Sequence, residues 1–513
     1  MKVVTSSEMQ AIDRITIQEL GIPGDVLMGM AGRSVAETIR YECPRMKKAA
    51  VFAGTGNNGG DGFVISYFLT QYGTQTDVFL VGDESKISDT SRVYFNLCKK
   101  SGIPIGSVRS GLELDDYDCV IDAILGTGFA GAVRGEAAEV IRMINDSDSF
   151  VVSVDIPSGL GSDGAAPESE AVMADLTVTI GLPKISLVTY PGKEYAGTMR
   201  VVDIGFPRKL TESEDLKTEL IDGGFFSKHG IREIESEYCS GPDSHKGARG
   251  HLLIIGGFDG MEGAAMLAAS AAFETGIGLV TLLTTGAARP LIAGKIPELM
   301  TMALPEGLEE AAEAVRSLLG ARRWNAILIG PGLGRSEYSR VVAETVFAAA
   351  AGCGTGRILV DGDGLFHLGD YVKKERLDAA VEWIITPHFL EASRISGMSV
   401  DDIKKNRYGS AGMISHELSC AVLLKGPATI VAGGGRRYVN TTGCAALGTA
   451  GSGDVLSGII GSLLMRRMPA VHAAACGAWI HGRAAELHCS ENNTDILRSS
   501  DIISFVRAAK QQM

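Results

Sequence analysis

Short, wholly apolar runs alternate along this chain with longer stretches whose apolar positions recur at the spacing of one helix face. In the first half this pattern predicts strands over 49–53, 76–81, 119–123, 151–155, 176–180 and 200–203. Helices are predicted over 6–20, 61–72, 88–100 and 136–145, with Ser6 or Ser7 opening the first and Gly73 closing the second. The pattern lapses between 206 and 244, where Thr211-Glu-Ser-Glu-Asp-Leu-Lys217 and Glu233-Ile-Glu-Ser-Glu237 are polar. It restarts with strands over 251–255, 279–283, 326–329, 358–360, 383–385, 421–424 and 429–432. The accompanying helices are expected over 263–274, 308–319, 338–350, 454–464 and 469–488. Apolar strands alternating with amphipathic helices imply parallel sheets covered on both faces. The expected fold is therefore α/β in two domains, a doubly wound sheet over 1–210 and an α/β/α sandwich over 241–513, with 211–240 as linker.

Length and composition agree with that division. A chain of 513 residues exceeds what one core holds. Hydrophobic content of 45% with 21% charged residues is an ordinary globular mixture, and 65 glycines beside 6% aromatics suit many tight strand-to-helix turns. A net charge of −13 argues against nucleic-acid or anionic-membrane partners, so a phosphate-bearing ligand must be gripped by local loops. Nine cysteines without a C-x-x-C pair fit reduced thiols in a cytoplasmic protein and offer no zinc site. The first residues lack an apolar signal core. The most apolar run, 264–283, is broken by Glu274 and glycines, and reads as a buried helix followed by a strand. A homo-oligomer is expected.

In the first half, Gly54-Thr-Gly56-Asn-Asn-Gly59-Gly-Asp61-Gly62 follows a strand and opens a helix. Gly54, Gly56 and Gly59 match the G-x-G-x-x-G dinucleotide fingerprint in its proper context, which makes the domain Rossmann-like. A tight turn capped by Asp61 is the plain alternative. Two further loops end strands: Val120-Ile-Asp122-Ala-Ile-Leu-Gly126-Thr-Gly-Phe-Ala-Gly-Ala132 and Val154-Asp155-Ile-Pro157-Ser158-Gly159. Loops at the carboxyl ends of parallel strands converge on one crevice. Asp122 near the end of an apolar strand is costly unless paired or bound to a cation. Oxygens from Asn58, Asp122 and Ser158 would suit an alkali or alkaline-earth ion, and Asp155 is a candidate acid/base.

These motifs, with Pro183-Lys184 and Val202-Asp-Ile-Gly205, resemble the NAD(P)H-hydrate epimerase domain from about Ser6 to Pro207. The resemblance implies a potassium ion held by Asn58, Asp122 and Ser158. It implies that the hydrated nicotinamide nucleotide meets Asn57, Asn58, Gly59, Gly60 and Asp61. The same ligand should meet Gly126, Thr127, Gly128, Phe129, Ala130, Gly131, Ala132 and Asp155. The reaction so implied interconverts the R and S hydrates at C6 of the reduced ring. Asp155 is the preferred proton-transfer residue and Lys184 the alternative.

In the second half, Gly448-Thr-Ala-Gly-Ser-Gly453-Asp454 leads into an apolar helix. The spacing is that of a phosphate loop, with an aspartate where a lysine would usually stand. Glycines free backbone N–H groups to converge on an anion, and the helix start adds partial positive charge. A carboxylate there suits taking a proton from a hydroxyl that attacks phosphorus; a helix N-cap Asp is the plain alternative. His245-Lys246-Gly-Ala-Arg-Gly250, Gly330-Pro-Gly332-Leu-Gly334-Arg335, Thr386-Pro-His388 and Lys425-Gly-Pro-Ala-Thr429 accompany it. On its own, His388 reads more readily as a satisfied surface group than as a ligand contact.

Together these segments resemble the ADP-dependent NAD(P)H-hydrate dehydratase domain, of the ribokinase-like superfamily, from about His245 to the C-terminus. The resemblance implies that Ala264, Gly332, His388 and Asp454 meet the hydrated nucleotide. Lys425, Gly426, Pro427, Ala428, Thr429 and Gly453 would meet ADP or AMP, with magnesium bridging the phosphates. Two departures stand out. The family's P-H-x-G-E is here Pro387-His388-Phe389-Leu390-Glu391, without the glycine. Its N-P-G-M-A-T-G-G is here Cys444-Ala-Ala-Leu-Gly-Thr-Ala-Gly-Ser, small residues for small at the loop itself. The implied function is repair of hydrated NADH and NADPH. Epimerisation in the first domain would feed a dehydration in the second that consumes ADP and yields AMP and phosphate. The second domain alone would also permit a sugar or vitamin-precursor kinase, and the first alone a nucleotide-sensing module.

Overall fold

Seven strands build the N-terminal sheet: β1 (Lys48–Ala53), β2 (Gln75–Leu80), β3 (Ile105–Ser107), β4 (Cys119–Ala123), β5 (Phe150–Val154), β6 (Leu176–Ile180) and β7 (Thr198–Val202). This computed structural model describes residues 1–108, 112–239, 249–321, 324–350, 352, 356–466 and 468–513. The strand order is β3-β2-β1-β4-β5-β6-β7, with every pair parallel. β4 and β6 are buried at every residue, as strands covered on both faces must be. Alternation along β1 sorts its side chains between the two faces. Ala49, Val51 and Ala53 pack with α1 (Ser6–Arg14), α2 (Gly24–Glu42), α3 (Asn57–Gln71) and α4 (Asp89–Lys100). Ala50 and Phe52 pack with α5 (Glu136–Asn145) on the other face.

Two local departures from expectation bear on function. Thr5, not Ser6 or Ser7, caps α1, through a reciprocal box with Glu8. α3 begins at Asn57 rather than at 61, which puts both asparagines and Asp61 in its first turns.

The stretch 211–240, expected as a linker, carries β8 (Thr218–Ile221) and short helices at Gly223–Lys228 and Ile231–Cys239. Of its apolar residues, Ile221, Phe225, Phe226 and Ile231 are buried in the C-terminal core, while Leu216 packs in the N-terminal one. The chain divides accordingly into units Lys2–Thr218 and Glu219–Met513.

The C-terminal sheet continues with β9 (His251–Ile255), β10 (Leu279–Thr285), β11 (Met300–Leu304), β12 (Ala326–Ile329) and β13 (Arg357–Val360). It is completed by β14 (Glu382–Ile385), β15 (Ala421–Leu424), β16 (Ile430–Gly433) and β17 (Arg436–Asn440). From β8 the order runs β8-β17-β16-β15-β14-β13-β12-β9-β10-β11. Pairing is parallel from β11 to β15, and antiparallel between β15, β16 and β17. Leu252 and Ile254 face α6 (Glu262–Thr275), α12 (Ser452–Leu463), α13 (Ala470–Asn492) and α14 (Ser499–Lys510). Leu253 and Ile255 face α7 (Leu308–Ala321), α8 (Glu337–Ala349), α9 (Asp363–Tyr371), α10 (Phe389–Ser396) and α11 (Arg407–Leu418). This is the expected sandwich. Among the described residues, no helix is long and apolar enough to cross a membrane.

Candidate active sites

The N-terminal strand order reverses between β1 and β4, so the segments leaving their carboxyl ends diverge and open a crevice. A cavity of about 830 Å³ lies there. Asn57, Asn58 and Asp61 form one wall, Gly126, Thr127, Gly128, Phe129 and Ala130 another, and Asp155 and Lys184 line it as well. Gly59 and Gly60 are buried and outside the lining; Gly131 and the exposed Ala132 are outside it too. The fingerprint glycines permit close approach of backbone. A Cβ on Gly54 would sit 2.1 Å from the Ile124 carbonyl oxygen, and one on Gly59 1.8 Å from that of Gly54.

Asp155 holds a left-handed backbone (φ +68), a costly conformation for a residue with a Cβ. Its carboxylate accepts from the Ile180 N–H (2.9 Å) and the Thr179 hydroxyl (3.3 Å), and pairs with the fully buried Lys184 ammonium. Lys184 also donates to Thr179 Oγ1 and to the Ile180 carbonyl, both at 3.0 Å. The two candidate proton-transfer residues are thus one ion pair. Burial drives the Asp61 carboxyl well above its ordinary pKa, with Asp155 and Asp13 adding to the effect. Asp13, on α1, also lines the cavity and is likewise raised, first by burial and then by Asp155. An acid in an amphipathic helix reads as a solvated face, so no sequence signal marks Asp13.

Asn58, Asp122 and Ser158 come together as expected for a cation site. The fully buried Asp122 carboxylate accepts from Ser153 Oγ (2.8 Å), the Ser158 N–H (2.8 Å), Ser158 Oγ and the Ile124 N–H (3.3 Å). Burial raises its pKa against the pull of those donors. Ser158 Oγ accepts from the Leu125 N–H (2.9 Å), and Asn58 Nδ2 donates to the Leu125 carbonyl (3.0 Å). Asn58 Oδ1 is buried without a partner. Such an acceptor is costly in a dry site, and a cation would satisfy it.

In the C-terminal unit, Gly451 (φ +84) caps α12, and Asp454 stands in its first turn. Asp454 lines a cavity of about 420 Å³ with Ala264, Gly332, Arg335, Asp363 and Glu391. Burial pushes its pKa up to about 7; Asp361 and Asp363 raise it further while Lys425 opposes them. Nearby, Lys425 Nζ pairs with Asp361 Oδ1 at 2.8 Å, and Asp361 also accepts from Thr386 Oγ1 (2.7 Å) and Ser457 Oγ. Burial disfavours the charge on both partners. Their mutual attraction outweighs it, so Asp361 is lowered and Lys425 raised.

His388 caps α10. Its Nδ1 accepts from the Leu390 N–H (3.1 Å) and the Glu391 N–H (3.3 Å), and Glu391 accepts from the His388 N–H (2.8 Å). This reciprocal cap explains why the family's glycine is dispensable: position 390 is an ordinary helical residue whose side chain points to solvent. Burial, then Lys425, lowers the His388 pKa. Glu391 rises to about 7, chiefly through burial. Of the expected residues, Ala264, Gly332 and Asp454 line the cavity. Lys425, Gly426, Pro427, Ala428 and Thr429 form the turn between β15 and β16. A Cβ on Gly453 would lie 3.4 Å from Lys425 Nζ, so turn and helix start adjoin. His245 and Lys246 lie outside the described residues. Asp361, Asp363 and Glu391 were not anticipated. The Asp361-Gly-Asp363 step directly after an apolar strand was a readable signal for the first two.

Two family models match this chain in tandem. Residues 24–186 match that of the YjeF-related protein N-terminus, and residues 252–507 that of NAD(P)H-hydrate dehydratase. The chain is 34% identical to the bifunctional NAD(P)H-hydrate repair enzyme Nnr of Thermofilum pendens, covering 99% of this chain and 96% of the relative. Identity and coverage are the same for the Nnr of Moorella thermoacetica. Among solved structures, it is 26% identical to an ADP/ATP-dependent NAD(P)H-hydrate dehydratase from Bacillus subtilis co-crystallised with ATP and Mg2+. That match covers 53% of this chain and 93% of the other, with a TM-score of 0.47. Identity sustained across both units, in the same tandem order, means that this chain belongs to the bifunctional NAD(P)H-hydrate repair enzymes.

Proposed function

We propose that the two sites act in sequence on hydrated NADH and NADPH. The N-terminal site interconverts the R and S hydrates at C6. The C-terminal site dehydrates the S form at the expense of ADP, giving NAD(P)H, AMP and phosphate. One observation carries this reading: Asp454, with a pKa near 7, stands in the first turn of a helix entered through a glycine loop, beside Lys425. A base poised near working pH is what removal of a hydroxyl proton requires.

In the C-terminal site, Asp454 takes the proton of the ring hydroxyl as its oxygen bonds to the terminal phosphorus of ADP and the bond to AMP breaks. Amides at the start of α12 and the Lys425 ammonium stabilise the charge that develops. The ring nitrogen then expels the phosphorylated oxygen as phosphate, so that C6–O breaks, and C5 loses a proton to solvent as the C5=C6 bond of the reduced ring forms. Lys425, Gly426, Pro427, Ala428, Thr429 and Gly453 hold the adenine nucleotide, and Ala264, Gly332 and His388 the hydrate. Asp363 and Glu391, which line the same cavity, are carboxylates that could help hold magnesium, which would neutralise phosphate charge. In the N-terminal site, Asn58, Asp122 and Ser158 would hold potassium, and the unpartnered Asn58 Oδ1 supports that assignment. The ion would offset negative charge beside the substrate.

The test is incubation of the protein with NADH hydrate and ADP, following absorbance of the reduced ring. Recovery of NADH from both epimers is expected. No recovery from either overturns the proposal, and recovery from the S form alone overturns the N-terminal assignment.

A further inference from the structure

Epimerisation at C6 needs two proton transfers on two faces of one carbon. C6 bears a hydroxyl and adjoins the ring nitrogen. The nitrogen lone pair can expel the hydroxyl once an acid delivers a proton to it; C–O breaks, C=N forms, and water departs. Water then adds to the opposite face, a new C–O bond forms, and a base takes the surplus proton. The Asp155–Lys184 pair supplies one group. We infer that Asp13, on α1, is the other, a catalytic carboxyl working across the cavity from Asp155; this rests on the epimerase reading above.

Geometry supports the assignment. Asp13 lines the same cavity as Asp155, Lys184 and Asp61 but comes from a different element, α1, whereas Asp155 directly follows β5 and Asp61 lies in the first turns of α3. α1 is held over the crevice by its first residue, whose N–H donates to Asp163 Oδ1 at 2.7 Å and whose hydroxyl donates to the Thr127 carbonyl. Among the described residues, no hydrogen bond or ion pair occupies the Asp13 carboxyl, whereas Asp155 is held by Lys184, Ile180 and Thr179. The buried, unpartnered Asn58 Oδ1, which lines the same cavity from α3, independently marks that cavity as built to receive a ligand.

Asp61 is the competing choice, and its surroundings suit it less. It lies deeper, and burial raises its carboxyl well above the ordinary value, with Asp155 and Asp13 adding to the effect. Asp13 keeps solvent access while its pKa is raised, so it can lose and regain a proton between turnovers. In the R-to-S direction Asp13 protonates the departing hydroxyl and Asp155 accepts the proton of the incoming water. The roles exchange in reverse, and solvent resets both groups.

The full-length protein is given the R hydrate without ADP in oxygen-18 water, and the epimers are separated by chromatography. Wild-type protein should form S hydrate carrying one solvent oxygen, and Asp13→Asn should slow conversion by about a hundredfold or more. Asp13→Glu, which keeps the carboxyl, should stay within about tenfold of wild type on the same scale. A wild type that does not epimerise overturns the underlying reading, not this residue's role alone. Conversion by Asp13→Asn within about threefold of wild type, well short of a lost proton donor, overturns the inference. So does retention of the original oxygen, or loss in Asp61→Asn with none in Asp13→Asn. Where Asp13→Asn alters the melting profile, Asp13→Glu decides, and a Glu variant as slow as the Asn variant also overturns it.

Discussion

Asp454 pairs an energetic cost with the chemical use proposed for it. Its carboxyl has a pKa of about 7 in the folded chain against 3.8 for the free group, so between those values the native state binds a proton that the unfolded state has lost. Stability therefore falls as pH rises through that window, and the penalty is complete above about 7. Asp454→Asn removes the charge. Thermal melts should show the variant equal to wild type near pH 4 and increasingly more stable toward pH 8, while dehydration of the S hydrate drops by about 10²–10⁴-fold. Wild-type dehydration should rise with pH along a limb centred near 7. Glu391 is also raised to about 7, and Glu391→Gln tells the two apart: it should leave the limb in place, because Asp454 remains. The Gly448–Asp454 step marked Asp454 in the sequence, but alone it read equally well as a helix N-cap; the accompanying segments around Lys425 and Gly332 tipped the reading toward a nucleotide site. Asp361 was legible only in hindsight, since a buried acid is recognised by its partners, and Thr386, Lys425 and Ser457 are far from it along the chain.

Elements that were found and elements that were missed differ in how their faces are covered. β4, β6 and β9, buried throughout, stand out as continuous apolar runs. β3 and β11 lie at sheet edges, largely exposed, and show no pattern to read. α2 escaped because Gly29 and Gly32 lower its helix propensity, and tertiary packing overrides that. A Cβ at Gly32 would lie 2.3 Å from Val64 Cβ, so the glycine is what lets α2 lie against α3. The same logic yields a prediction for the fingerprint loop. Gly59→Ala places a Cβ 1.8 Å from the Gly54 carbonyl oxygen, backbone that has no free end to swing aside. The variant should lower the melting transition of the N-terminal unit and abolish R-to-S conversion while S-hydrate dehydration persists; calorimetry with the two assays checks it. In the other unit, Asp361 ties β13 to β14, β15 and α12 through Thr386, Lys425 and Ser457. Asp361→Ala leaves the half-buried Lys425 ammonium with only the longer contact to Glu391 (3.9 Å) and should cost about 3 kcal/mol in urea unfolding of that unit.

Two sites on one chain that handle one metabolite need not pass it directly. Each cavity is lined wholly from within its own unit, the first by residues between Met9 and Phe206 and the second by residues between Gly260 and Asp454. Each unit has helices on both faces of its own sheet. Among the described residues neither lining draws on the other unit, and the S hydrate that would link them is a dinucleotide that can diffuse through water. Mixing two full-length variants tests this. Asp155→Asn keeps the C-terminal site and Asp454→Asn keeps the N-terminal one, so neither alone should return NADH from the R hydrate at an appreciable rate. Combined with ADP, they should restore recovery, with a lag that shortens as the Asp454→Asn protein is raised, because that protein sets the supply of S hydrate. A mixture as inactive as either variant would mean that the intermediate must stay on one chain. A lag that ignores the concentration of the Asp454→Asn protein would place its formation outside the N-terminal site.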